Sequence, residues 1–269
     1  MIPAAFEYHR AASVEDAIEA LGRDEDAKLL AGGHSLVPAL KLRIARPSLL
    51  VDVGRLDDLR YVRDDGDRIA IGALTRHAQL AADAVLEGGC AVVARTAAGV
   101  GDPQVRHRGT IGGSVAHADP ASDLPTVLLA LDAELVAHGP DGERTIAAAS
   151  FFGGPFETAL GPRDVLTEIR VPKVERGVYL KHSRRAQDWA TVGVAAAVVD
   201  GATRVALASM GPTPLRARAV EDALAGGADA VEAAGHTGEG TDPPGDVTGS
   251  SEYRAHLAQV YVRRALEQL

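Results

Sequence analysis

Two segments with paired glycines stand about 80 residues apart, Ala31-Gly32-Gly33-His34-Ser35 and Thr110-Ile111-Gly112-Gly113-Ser114, and they constrain the fold more than any other feature. Paired glycines let a backbone take positive φ and come close to another group. Successive N–H groups in such turns form an anion-binding nest, and the nearby serine adds a hydroxyl donor. A fold that brings both segments together can grip one diphosphate from two sides. Taken singly, each also reads as a tight turn, one of them merely ending a strand. Neither segment fits G-x-G-x-x-G between strand and helix, nor G-x-x-x-x-G-K-[ST], so the Rossmann and P-loop arrangements fail on spacing.

The flanks of the second segment add chemistry. Gln104-Val-Arg106-His107-Arg108 precedes it and offers cations to a phosphate, or else is a solvated basic turn. His117-Ala-Asp119-Pro120-Ala-Ser122-Asp123 follows it. His117, Asp119 and Asp123, with His107 as a fourth, are a conceivable metal set, but their spacing matches no established metal motif. Asp119-Pro120 reads more simply as a turn, with Ser122 and Asp123 free to hydrogen-bond a polar ring edge.

The element pattern is α+β. Ser13 with Asp16 opens a helix carrying Ala17, Ile18 and Leu21. Short strands are expected at 28–30, 49–53 and 68–72, and Ala-rich helices at 76–86 and 90–98. The Gly-, Pro- and Asp-rich stretch 99–125 reads as a long irregular, functional connection, followed by an apolar helix over 125–131. Gly139-Pro-Asp-Gly142 joins two strands of a hairpin, and Asp164 to Val171 forms another strand. Pro, charge and Gly cluster near 172–177, which marks a domain boundary. Beyond it come a strand at 177–182, a hairpin around Asp200-Gly201, a helix over 215–224 and a loop over 235–250. A last helix is capped by Ser251, with Leu257, Val260, Tyr261 and Leu266 on one side.

Composition narrows the function. The chain of 269 residues is long enough for a sizeable core. Its formal net charge of −9 argues against bulk nucleic-acid or anionic-lipid binding. One cysteine, Cys90, allows no internal disulfide and no iron–sulfur cluster held by this chain alone. Electron chemistry therefore needs a bound organic cofactor or a partner's centre. The first ten residues lack a basic start and apolar run, and no stretch approaches the roughly 20 apolar residues of a membrane helix, so a cytoplasmic location is expected.

These residues resemble a known family. Ala31-Gly-Gly-His-Ser35 with Leu36-Val-Pro38, and Gly109-Thr-Ile-Gly-Gly113 with Ala116-His117-Ala-Asp119-Pro120-Ala-Ser-Asp123-Leu-Pro125, are similar to the FAD-binding medium subunit of molybdenum hydroxylases, nearest to its carbon monoxide dehydrogenase branch. The likeness continues through Tyr179-Leu-Lys181-His-Ser-Arg184-Arg185-Ala-Gln-Asp188-Trp189-Ala-Thr-Val-Gly193, Gly211-Pro-Thr-Pro-Leu-Arg216 and Asp246-Val-Thr-Gly-Ser-Ser-Glu-Tyr253-Arg254, and so covers nearly the whole chain.

The resemblance implies a vanillyl-alcohol-oxidase-type (PCMH-type) FAD-binding domain over 1–174, with α/β subdomains about 1–55 and 56–174. A small antiparallel sheet with helices follows over 175–269. It implies FAD contacts at Ala31, Gly32, Gly33, His34, Ser35 and Leu36, at Thr110, Ile111, Gly112, Gly113 and Ser114, and at His117, Asp123 and Lys181, with no metal ligand and no catalytic acid or base. Asp123 and Lys181 are expected towards the flavin, where a cation stabilises the negative charge of the reduced ring. The second segment ends in Ser114 where the family usually has Asn, so that contact has a shorter reach. The implied partners are a small subunit with 2Fe–2S clusters and a large subunit with a molybdenum cofactor. The implied role is electron transfer from those clusters through FAD to an external acceptor, whether quinone, NAD, oxygen or a carrier protein. Competing readings are a medium subunit of a xanthine or N-heterocycle dehydrogenase, a stand-alone flavin oxidoreductase, a metal-dependent hydrolase and a non-enzymatic scaffold. The small number of aromatic residues (four Phe, five Tyr and one Trp) counts against a self-contained flavin active site.

Overall fold

A computed structural model describes all 269 residues. The chain builds three successive layers around three sheets, plus a two-stranded ribbon. The first holds β1 (Glu7–Arg10), α1 (Val14–Leu21), β2 (Lys28–Leu30), α2 (Leu36–Lys41) and β3 (Leu49–Asp52). Its strands are all parallel in the order β1-β3-β2. Ser13 caps α1 by accepting from the Asp16 N–H at 3.1 Å, as its sequence position predicts.

The second layer starts with β4 (Val62–Asp65) and β5 (Arg68–Gly72), then runs through α3 (His77–Leu80), α4 (Ala84–Gly89), α5 (Ala91–Ala98), α6 (Pro103–Arg108), α7 (Ile111–His117) and α8 (Asp123–Ala130). It ends with β6 (Glu134–Gly139), β7 (Gly142–Ala147), the ribbon strands β8 (Phe152–Gly154) and β9 (Glu157–Thr158), and β10 (Val165–Pro172). The antiparallel sheet runs β4-β5-β10-β6-β7.

The stretch 99–125 is not irregular. It folds as α6, α7 and the start of α8, because each of the first two carries its own cap. Asp102 accepts from the Val105 N–H at 2.9 Å with Pro103 in the first helical turn, and Thr110 Oγ1 accepts from the Gly113 N–H at 3.1 Å. These signals outweigh the low helix propensity of the glycines.

The third layer has β11 (Gly177–His182), β12 (Val192–Val199), β13 (Ala202–Ala208) and β14 (Leu215–Arg216) in an antiparallel sheet of that order, then α9 (Arg218–Ala225), α10 (Ala230–Ala234) and α11 (Ser251–Leu266). Asp200 and Gly201 both have positive φ, 49° and 77°, as an Asp-Gly hairpin turn requires. Residues 215–216 pair as a strand, so the helix expected over 215–224 begins only at Arg218. Ser250, not Ser251, caps α11, and the buried face of that helix is Arg254, Ala258, Val262 and Ala265. Leu257, Tyr261 and Leu266 only flank it.

β12 is buried on both faces. Val192, Val194 and Ala196 join the core under α9–α11, while Ala195, Ala197 and Val199 join the large core built on α5, α8 and the five-stranded sheet. The third sheet is thus a middle layer. No helix is long and apolar enough to cross a membrane.

Candidate functional site

A cleft of about 1060 Å³ is lined from all three layers. That lies just above the roughly 300–1,000 Å³ typical of small-molecule sites, and suits an extended ligand. Both glycine segments reach it. Of the positions singled out from the sequence, Ala31 to Leu36, Thr110, Gly112, Gly113, Ser114, His117, Asp123 and Lys181 all line it. Ile111 does not: its side chain is fully buried in the large core and its N–H donates to the Thr75 carbonyl at 3.0 Å.

The first segment is an open turn between β2 and α2. Gly33 has φ +80°, a conformation that disfavours any side chain. The backbone N–H groups of Gly32, Gly33, His34 and Ser35 donate to no protein acceptor, and His34 and Ser35 are exposed. Gly32 packs on the backbone that leads into the second segment: a Cβ there would stand 2.3 Å from the Arg108 carbonyl oxygen.

The second segment is the first turn of α7. Its N–H groups are spent inside the protein, Gly112 on the Ala73 carbonyl (2.8 Å), Gly113 on Thr110 Oγ1 and Ser114 on the Thr110 carbonyl (3.0 Å). Gly112 is glycine because a Cβ would meet Ala73 at 2.6 Å. Gly113 stays exposed to the cleft. The two segments are therefore unlike. The first presents free donors, and the second presents a bare backbone surface with the Ser114 hydroxyl. Arg106 does not face a ligand, since its guanidinium donates to the Val100 and Gly101 carbonyls, both at 3.0 Å.

At another point of the cleft a buried ion pair joins the second and third layers. Lys181 on β11 donates to Asp123 Oδ2 at 2.8 Å, and Tyr179, two residues earlier on the same strand face, donates to Asp123 Oδ1 at 2.6 Å. Asp123 is only 7% exposed. Burial pushes its carboxyl above the ordinary range, while the Lys181 ammonium and the Tyr179 hydroxyl pull it back. Burial, with the Asp123 charge, holds the Tyr179 phenol protonated far above its ordinary range.

Sequence reasoning missed three cleft residues. His77 is buried against Gly109, with its Nδ1 unpartnered, and burial with the nearby Arg106 and His34 lowers its pKa to about 4, so the ring is neutral. Phe156 is exposed at the tip of the β8–β9 ribbon with φ +62°, its ring 5.1 Å from that of His117. Trp189 is exposed at the cleft edge. The Thr-Arg-His77 run and the Gly-Pro-Phe156 turn were visible, but nothing local tied either to the glycine segments.

The conceivable metal set does not assemble. Asp123 is committed to Tyr179 and Lys181, Asp119 accepts from the Ala121 N–H in a turn at 2.9 Å, and no three His, Cys, Asp or Glu side chains converge as ligands.

Comparison with known proteins gives the same picture over the full length. Residues 4–174 match the family described as the FAD binding domain in molybdopterin dehydrogenase, and residues 178–269 match the CO dehydrogenase flavoprotein C-terminal domain. The chain is 41% identical to the carbon monoxide dehydrogenase medium chain of Hydrogenophaga pseudoflava, covering 99% of this chain and 97% of that one. It is 39% identical to the 6-hydroxypseudooxynicotine dehydrogenase complex subunit alpha of Paenarthrobacter nicotinovorans, covering 99% and 95%. Among solved structures, carbon monoxide dehydrogenase from Hydrogenophaga pseudoflava superposes with a TM-score of 0.96 at 41% identity, covering 100% of this chain and 98% of that one.

Proposed function

Because the chain belongs to the family of FAD-binding medium subunits of molybdenum hydroxylases, we propose that it carries electrons from the iron–sulfur clusters of a small partner subunit to an external acceptor, within a complex of the carbon monoxide dehydrogenase type. It is an oxidoreductase subunit whose cofactor is FAD. The substrate is oxidised in a large molybdenum-cofactor subunit on this reading, and the division of the chain falls at 174/175.

The observation that carries the reading is the meeting of both glycine segments and the Asp123–Lys181 pair in one cleft. The free N–H groups of Gly32 to Ser35 fit an anionic diphosphate. Gly113 leaves room for close approach, Ser114 adds a hydroxyl, and the Lys181 ammonium faces the flavin end beside Asp123. Ala31, His34, Leu36, Thr110, Gly112 and His117 form the walls around them. Bound FAD supplies electron exchange between the partner's clusters and the acceptor. This chain's residues hold the diphosphate, exclude water from the cleft and set the charge near the ring. No acid or base of the chain moves a proton of the substrate.

The test is co-expression with the small and large subunits. Purification of a complex with an oxidised-flavin spectrum, bleached by substrate only when all three chains are present, is the expected result. A complex that stays free of flavin, or a chain that never joins the other two, would refute the assignment.

A further inference from the structure

The Asp123–Lys181 pair is assembled by two residues, Tyr179 and Gly193, that do not themselves line the cleft. β11 pairs with β12 so that Lys181 lies opposite Gly193 and Tyr179 opposite Ala195. The Tyr179 ring leans along this face towards Asp123, and its hydroxyl passes over Gly193. A Cβ at position 193 would stand 2.3 Å from the Tyr179 Oη and 3.0 Å from Cζ. No real Cβ makes so short a contact, so a side chain at 193 must displace the phenol. The phenol in turn is one of the two donors that hold a nearly fully buried carboxylate. A buried carboxylate that loses a donor bears the desolvation cost of the bare oxygen, and relieves it by taking a proton or by moving.

We propose that Tyr179 is the positioning residue of the Asp123–Lys181 pair, that Gly193 is glycine to admit its hydroxyl, and that the two together set the net charge presented to the flavin. This rests on the reading that FAD binds in this cleft with Lys181 beside its ring. With Tyr179 in place Asp123 stays ionised and the pair sums to zero. Without the phenol hydroxyl Asp123 takes a proton more readily, and the pair tends towards a net positive charge. A more positive site favours the reduced, more negative flavin. Removing Lys181 takes the cation itself away, so the site is then neutral or negative whichever state Asp123 holds, and unlike the Tyr179 variant it never becomes more positive than the wild type.

The experiment is a dye-coupled reductive titration of the FAD-loaded complex, reading the flavin midpoint potential, with flavin content and melting temperature as controls. The variants are Tyr179→Phe, Gly193→Ala, the two combined, and Lys181→Ala. Tyr179→Phe is expected to keep FAD and to raise the potential. Gly193→Ala is expected to raise it too, and to add little in the Tyr179→Phe background, because the atom it collides with at 2.3 Å is gone. A Tyr179→Phe potential equal to wild type, while Lys181→Ala shifts it, would overturn the proposal and leave Tyr179 as packing. Additive shifts from the two substitutions would overturn the role of Gly193. If Lys181→Ala raises the potential, or if every variant leaves it unmoved, the placement of the flavin beside Lys181 falls, and the proposal falls with it.

Discussion

Gly32 rests on the carbonyl oxygen of Arg108: a Cβ at position 32 would lie 2.3 Å from that oxygen and 3.0 Å from the Gly109 Cα. The first glycine segment thus packs backbone to backbone on the residues that lead into the second. Neither obstacle is a flexible side chain, so Gly32→Ala must push the segments apart. The expected cost is about 1–3 kcal/mol of stability, as in other overpacked sites, with a marked loss of FAD affinity. Urea unfolding and fluorescence titration with FAD check both, and an unaltered unfolding midpoint would show that the contact is loose.

Gly33→Val and Gly113→Val act differently from Gly32→Ala. Position 33 has φ +80°, where a β-branched residue costs roughly 1–2 kcal/mol, and its Cβ would crowd Val37 and Leu30 at 3.2 and 3.3 Å, so the turn that holds the free N–H groups must shift. At position 113 a Cβ would stand 2.8 Å from Thr110 Oγ1 and disturb the cap of α7, worth about 1 kcal/mol. Both variants are expected to fold and to lose FAD during gel filtration. Retention of a full complement of flavin in both would remove the diphosphate from this part of the cleft.

Lys181→Ala is expected to retain FAD, to leave the flavin potential at or below the wild-type value and to make stability more dependent on pH. Asp123 already has a folded-state pKa above the ordinary 3.8, and loss of its cation raises it further. A carboxyl raised in the folded state contributes stability that is present below about 3.8 and is lost as pH rises through the folded value. The variant should therefore lose more stability relative to wild type in alkaline than in acidic buffer. Parallel melting curves across the pH range would argue that the pair contributes little.

The Asp246 carboxyl sits at about 2, held down first by the Thr248 hydroxyl and also by the Arg254 guanidinium. Its contribution is present above about 3.8 and is lost as pH falls towards 2. Solvent screening at a carboxylate 46% exposed limits it to about 1 kcal/mol. Arg254, by contrast, is buried, and also donates to the Thr191 carbonyl at the foot of the segment carrying Trp189. Asp246→Asn should lower the melting temperature at neutral pH and flatten the acid side of the stability profile. An unchanged acid limb would place that transition elsewhere.

The fold was legible where local chemistry decides it. Ser13 as a cap, the strands at 28–30 and 68–72, and the turns at Gly139–Gly142 and Asp200-Gly201 each carry their own signal. The helices α6 and α7 escaped notice because Gly112 and Gly113 look like loop residues, although Asp102, Pro103 and Thr110 advertise the starts. In the site, the residue types were readable but their pairing was not. Asp123 and Tyr179 are 56 positions apart and meet only through the register of β11 against β12 and the packing of α8 beneath it. Ile111 belongs to the same five-residue motif as Gly113, yet the helical turn sends it into the core. Tertiary placement of this kind leaves no periodicity to read.

The double-sided burial of β12 has a consequence for how the protein is made. While the ribosome is still producing residues 1–191, the faces of α5 and α8 that receive Ala195 and Ala197 have nothing to cover them. The wall of the cleft that bears Lys181 cannot seat until that strand arrives, because β11 is held in place by pairing with it. The complete cleft therefore forms only once β12 has been made and has seated between the two cores.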